Sequence, residues 1–169
     1  MLENTAELEI RLAVNGRAQH WRIRPGETLL EALQHHNIKG PKLVCGTGDC
    51  SACGVMFNGA PINACCMLAA QAEGAEVITV EGLAHGAKLH PIQEAFAEAG
   101  AAQCGYCTPG FIIRTYALLQ ENPDPTEADV RAAFAGSICR CTGYVKPVEA
   151  ALRAARALKE QSSERGLVR

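Results

Sequence analysis

The chain has 169 residues and a formal net charge of −2, from 16 basic and 18 acidic side chains. With 48% hydrophobic and 20% charged residues it has a globular composition. That excludes wholesale disorder, and the charge gives no basis for bulk attraction to nucleic acid. The length allows one ordinary domain or two small ones. No apolar run is long enough to span a bilayer. The acidic opening, Met1 to Ile10, lacks the basic and then apolar order of a secretory leader. A cytoplasmic location is the expectation.

In chain order, Leu8, Ile10, Leu12 and Val14 alternate with Glu9, Arg11 and Ala13. Asn15-Gly16 follows, then Trp21 and Ile23 on a second alternating face, which reads as a β-hairpin. Arg24-Pro25-Gly26 breaks the pattern. Thr28 to His35 reads as a short helix with Leu29, Leu30 and Leu33 on one side. Ile38 to Gly54 is a loop rich in Gly and Cys. Val55 to Phe57, Asn58-Gly59 and Pro61-Ile62 form a second hairpin, 64–72 one or two helical turns, and Val77 to Val80 a last strand. This half reads as a small α+β unit.

Beyond Gly82 the period changes. Helices are expected from Pro91 to Gly100, from Thr108-Pro109 to Asn122-Pro123, after a Thr126/Asp129 capping box, and from Lys146-Pro147 onward. Gln161 to Arg169 is polar and expected to fray.

The cysteines depart from the ordinary. There are nine, an odd number that suits a disulfide framework poorly. Cys45, Cys50, Cys53, Cys65 and Cys66 form one group; Cys104, Cys107, Cys139 and Cys141 form another. Two separate sets suggest two four-ligand metal sites, which also staple domains poor in aromatics.

The first set has the spacing C-x4-C-x2-C-x11-C, and its start is that of a plant-type [2Fe–2S] site. Three thiolates on one tight loop wrap one side of the cluster, and a fourth closes the cage. Gly46 and Gly48 permit unusual torsions, so that amide N–H groups can face the sulfurs and help set the potential. Cys65 and Cys66 compete for the fourth place. Adjacent side chains point in different directions, so only one should ligate, and the local pattern does not choose. The second set has the spacing C-x2-C-x31-C-x-C. Each of its pairs precedes an expected helix, whose N-terminal N–H groups favour an anionic cluster.

Blander readings stand beside these. Two cysteine pairs can hold structural zinc, although C-x-C is unusual for a zinc ribbon and C-x4-C-x2-C suits zinc worse. Cys104-Gly105-Tyr106-Cys107 has thioredoxin-like spacing without a βαβ setting. His35-His36 suit helix-end carbonyls better than a metal. His90 suits a cap before Pro91. Arg140 either offsets cluster charge or meets a partner. Tyr106 and Tyr144 either cover the cluster or pack in the core. Glu127, Asp129 and Arg131 read as a solvated face. No G-x-G-x-x-G fingerprint opens a helix after a strand.

Three segments together carry a family resemblance: Cys45-Gly46-Thr47-Gly48-Asp49-Cys50-Ser51-Ala52-Cys53, Gln103-Cys104-Gly105-Tyr106-Cys107-Thr108-Pro109-Gly110, and Ile138-Cys139-Arg140-Cys141-Thr142-Gly143-Tyr144. The chain resembles the small iron–sulfur subunit of the molybdenum hydroxylases, the xanthine oxidase family, over roughly residues 8–158. The resemblance implies an α+β chain, with a β-grasp, ferredoxin-like domain over 1–82 and a four-helix [2Fe–2S]-binding domain over 83–169. It implies ligation by Cys45, Cys50, Cys53 and Cys65 in the first and by Cys104, Cys107, Cys139 and Cys141 in the second, leaving Cys66 free. It implies a large molybdopterin-binding partner, contacted near Gln103 and Cys141, and usually a medium FAD-binding partner facing the first cluster. Single electrons would then pass between the molybdenum centre and FAD or another acceptor, with the substrate site on a partner chain. Gly46, Ser51 and Gly54 stand where the family often has Glu, Gly and Thr. Ser51 is expected to be strained if its φ is positive. A free-standing two-cluster ferredoxin and a zinc-stabilised interaction module are the competing functions.

Overall fold

The computed structural model describes residues 7–166, so the opening residues 1–6 and the tail 167–169 lie outside the described residues. The first hairpin is β1 (Leu8–Val14) and β2 (Arg17–Ile23), paired antiparallel with Ile10 opposite Trp21. Asn15 and Gly16 both take positive φ, 52° and 73°, as a tight two-residue turn between right-twisted strands requires. Alternation sends Ile10, Leu12, Val14, Trp21 and Ile23 into the core. Helix α1 (Leu29–His35) covers that face with Leu29, Leu30 and Leu33. Its start is fixed by a capping box: Thr28 Oγ1 accepts from Glu31 N at 3.2 Å, and Glu31 Oε2 accepts from Thr28 N at 2.8 Å.

β3 (Gly54–Phe57) and β4 (Ala60–Asn63) form the second hairpin around Asn58-Gly59. The segment after it holds two short 3₁₀ turns, Ala64–Cys66 and Ala69–Ala72. β5 (Glu76–Ile78) then inserts between β1, to which it runs parallel, and β3, to which it runs antiparallel, giving the order β2-β1-β5-β3-β4. The strand expected to reach Val80 stops at Ile78. Thr79 N donates to Asn15 Oδ1 at 2.8 Å, and Thr79 Oγ1 donates to Glu81 Oε2 at 2.6 Å. Those bonds take the chain off the sheet, and Val80–Leu83 winds into a 3₁₀ turn.

Four helices follow: α2 (Pro91–Glu98), α3 (Thr108–Glu121), α4 (Glu127–Ala133) and α5 (Val145–Gly166). His90 caps α2, its Nδ1 accepting from Ile92 N at 3.2 Å. The capping box at Thr126 and Asp129 opens α4, and Arg131 pairs with Glu127 on its exposed face. α5 continues through 161–166, where fraying is expected from the sequence. Leu158 packs on the core, and Ser162 and Ser163 return their hydroxyls to the carbonyls of Leu158 and Lys159. Phe96, Phe111, Ile113, Val130 and Val148 centre this second core. Among the described residues no helix is long and apolar enough to cross a membrane.

The two halves meet where α3 lies on β3, and Met56 of β3 joins the helical core. The approach is close because residue 110 is glycine. A Cβ there would lie 2.2 Å from the Ser51 carbonyl oxygen. This contact brings the first cysteine loop beside the segment that carries Cys139.

Candidate metal centres

The first loop turns through Gly46 and Gly48, whose φ values are 70° and 84°. The amide that reaches a sulfur belongs to the residue between them: Thr47 N donates to Cys45 Sγ at 3.5 Å. Asn63 Nδ2 donates to the Gly48 carbonyl at 2.5 Å, tying the loop to the end of β4. Cys50 and Cys53 are buried, and Cys45 is half-buried.

The structure separates Cys65 from Cys66. Cys65 is buried and its thiol stands beside that of Cys53. Cys66 is exposed, 3.7 Å from Cys65 sulfur to sulfur, and its Sγ lies over Gly48. A Cβ at Gly48 would approach that sulfur to 2.9 Å.

In the second set, Cys107 is the N-cap of α3, and its carbonyl accepts from Phe111 N at 3.2 Å. The other pair lies in the loop just before α5. Cys104 and Cys141 are exposed, with their sulfurs 3.7 Å apart. Two sulfurs on one tetrahedral ion, at metal–sulfur distances of about 2.3 Å, lie about 3.8 Å apart. Cys107 and buried Cys139 form the inner pair. In the first set the neighbouring thiols are Cys45 with Cys50 and Cys53 with Cys65. Among the described residues no three Cys, His, Asp or Glu side chains converge as a lone ion needs. Leaving aside Cys66, which also lies 3.7 Å from Cys65, the thiols pair in twos, as a two-iron cluster needs when each of its irons takes two thiolates.

Local electrostatics split each set. The Thr47 amide, with help from the neighbouring Cys50 thiol, holds the Cys45 thiol down at about 6. Burial pushes Cys53 up to about 12, and its neighbour Cys65 adds to the rise. Burial opposes ionisation of Cys139, but the Thr142 hydroxyl and amide outweigh it and hold that thiol at about 7. Burial and the adjacent Cys139 push Cys107 up to about 12. A bound metal needs all of these as thiolates, so loading draws protons from the buried members. The two buried side-chain polar atoms left without a partner among the described residues, Asn63 Oδ1 and Thr108 Oγ1, flank these sites, close in sequence to Cys65 and Cys107.

The two sets are joined directly. Ile138 N donates to the Cys50 carbonyl at 3.1 Å. Beside it, buried Ser51 and Ser137 share a hydroxyl–hydroxyl bond of 2.6 Å. Ser51 has the positive φ considered from its sequence, 56°. Ser137 stands out only once the loops are seen together. The Thr142 hydroxyl, which donates to Cys139 Sγ at 3.1 Å, follows the last ligand-type cysteine and was open to notice in the sequence.

Gln103, next to Cys104 in the chain, is exposed, as is Cys141. Tyr106 is exposed, whereas the Tyr144 hydroxyl accepts from Cys139 N at 3.0 Å. Arg140 is exposed. The histidines at the end of α1 have other partners than helix-end carbonyls. His35 Nδ1 bonds Glu27 Oε1 at 2.6 Å, because that buried carboxylate needs a partner. His36 stacks on Trp21 with ring centroids 4.4 Å apart.

Comparison with known proteins agrees with this geometry. Residues 12–80 match a 2Fe-2S iron-sulfur cluster binding domain, and residues 79–152 match a second [2Fe-2S] binding domain. The chain is 46% identical over 148 residues to the nicotinate dehydrogenase small FeS subunit of Eubacterium barkeri, covering 87% of this chain and 94% of that subunit. It is 40% identical over 145 residues to the xanthine dehydrogenase iron-sulfur-binding subunit of Escherichia coli O157:H7, covering 85% and 91%. The fold superposes on a chain of quinoline 2-oxidoreductase from Pseudomonas putida 86 with a TM-score of 0.88 and 36% identity, covering 91% of this chain and 97% of that one. Two adjoining cluster-binding domains, paired thiols in each and near full-length likeness to such subunits converge: the chain belongs to the small [2Fe–2S] subunits of the molybdenum hydroxylases, and it is their iron–sulfur electron-transfer component.

Proposed function

We propose that Cys45, Cys50, Cys53 and Cys65 form one cage and Cys104, Cys107, Cys139 and Cys141 the other, each for a [2Fe–2S] cluster. The sulfur neighbours support an assignment iron by iron. Cys45 with Cys50 and Cys53 with Cys65 hold the two irons of the first cage. Cys104 with Cys141 and Cys107 with Cys139 hold those of the second. Such a cluster takes up and returns one electron at a time.

The chain's own work is to space and orient the cages. The observation that carries the reading is the Ile138 N–H to Cys50 carbonyl bond. It leaves one hydrogen bond between the backbone of a first-cage ligand and the residue preceding a second-cage ligand. The second cage has an exposed outer pair and an inner pair whose Cys139 directly follows Ile138 in the chain, which suits it to an entrance and an exit. Gln103 and Cys141 are both exposed, and the family's large molybdopterin-binding subunit would sit against them. Leu43, Val44 and Leu68 are exposed around the first cage, a surface suited to the medium FAD-binding partner. Single electrons then pass from the molybdenum side through the second cage to the first, and on to FAD or another acceptor. The domain division 1–82 and 83–169 belongs to this reading, and two largely separate hydrophobic cores support it. The working compartment is the cytoplasm.

The test is composition together with spectroscopy of the purified assembly. It should carry about four irons and four acid-labile sulfides per copy of this chain, and reduction should develop two distinct low-temperature EPR species. Only about two irons, or a single species, would remove one cage.

A further inference from the structure

Around Cys139 the chain builds a short relay of hydrogen bonds. Thr142 Oγ1 donates to Cys139 Sγ at 3.1 Å, and Thr142 N donates to the same sulfur at 3.4 Å. Tyr144 N in turn donates to Thr142 Oγ1 at 3.2 Å. A hydroxyl has one proton and two lone pairs. With the Tyr144 amide filling a lone pair, the Thr142 proton is committed to the sulfur. The Tyr144 hydroxyl closes the loop by accepting from Cys139 N at 3.0 Å.

This relay depends on an unfavourable backbone. Tyr144 has φ 68°, a left-handed torsion that a bulky side chain rarely adopts. It is held there by the edge of its ring against Phe111, with centroids 6.1 Å apart, and by the Val148 N bond to its carbonyl at 3.2 Å. Phe111 is buried and its amide bonds the Cys107 carbonyl, so one residue braces both members of the inner pair. The first cage has no such arrangement among the described residues. At Cys45 the Thr47 amide donates to Sγ at 3.5 Å, and the Thr47 hydroxyl lies beside the same sulfur but also bonds Asp49 Oδ2 at 2.5 Å, with no amide orienting its proton toward the sulfur among the described residues.

We propose that Thr142, oriented by Tyr144, is a positioning residue that raises the reduction potential of the Cys104/Cys107/Cys139/Cys141 cluster selectively. A hydroxyl proton on a ligand sulfur stabilises the negative charge added on reduction. The inference rests on the proposed ligand set.

The test is an EPR-monitored redox titration of the whole assembly, with the untouched cluster as internal standard. Cys104→Ala first identifies the helical-domain species by its loss. Thr142→Val should then lower the reduced-to-oxidised ratio of that species about tenfold at a fixed ambient potential, a shift of about 59 mV for a one-electron couple. The other species should not move, and Thr142→Ser should restore the original value. If Thr142→Val fails to assemble, deuterium ENDOR on the unsubstituted reduced protein serves. Brief exposure to D₂O should label one strongly coupled hydroxyl at the helical-domain cluster. An unmoved potential, equal shifts in both species, or no coupled deuteron would overturn the inference. If Cys104→Ala leaves both species, the ligand set fails instead.

Discussion

Cys65 and Cys66 show what a single position decides. They are neighbours in one 3₁₀ turn, yet one thiol is buried against Cys53 and the other is exposed over Gly48. Cys65→Ala is expected to halve the iron content, from about four to about two per chain. Cys66→Ser should leave iron and both EPR species unchanged. Colorimetric iron determination on the two variants separates them, and iron loss from Cys66→Ser would reverse the assignment. Ser51 carries a second residue-scale prediction. Its left-handed φ is unfavourable for any residue with a Cβ, but its hydroxyl satisfies Ser137. Ser51→Ala keeps the strain and strands a buried hydroxyl, costing about 1–2 kcal/mol. Ser51→Gly strands the same hydroxyl but relieves the torsion, regaining about 1 kcal/mol. Thermal melting should therefore rank serine above glycine and glycine above alanine. Alanine equal to glycine would show that the torsion carries no strain.

The elements of the first half were largely legible because their signals are local. Asn15-Gly16 and Asn58-Gly59 each sit between alternating runs, and Thr28 with Glu31 opens α1 by direct side-chain bonds. Less legible was the end of β5. Val77 to Val80 reads as one apolar strand, but Asn15, far back in sequence, captures Thr79 and ends the pairing. The parallel insertion of β5 between β1 and β3 is a long-range pairing with no local signal. Thr28→Ala should cost about 1 kcal/mol through loss of the cap, read as a fall in denaturation midpoint with both clusters retained. Gly110 on α3 is the more demanding position. A Cβ would meet the Ser51 carbonyl at 2.2 Å, backbone against side chain with no flexible group to yield. Gly110→Ala should cost about 2–3 kcal/mol and, by prising α3 from β3, weaken spin coupling between the reduced clusters. Unchanged stability and coupling would mean that α3 and β3 do not meet this closely.

At the scale of the molecule, two hydrophobic cores each carry a set of thiols, and the sets meet at the seam. The motif spacings announce two cages because ligand spacing is a property of short segments. They are silent on the seam. Nothing local to Cys50, Ser51, Ser137 or Ile138 reveals that a carbonyl and a hydroxyl of one loop bond an amide and a hydroxyl of the other. The paired order of the sulfurs is likewise a product of the fold: Cys104 finds Cys141 only because α3, α4 and α5 bring 104–107 to 139–141. The two cages are independent, and low-temperature EPR of the reduced Cys139→Ala protein tests this, since alanine offers iron no substitute ligand. One species should vanish and the other persist at full intensity, its signal simplified by loss of the coupling to its neighbour, with about two irons left per chain. Loss of both species from a protein that remains folded, or of neither, would contradict two separate cages.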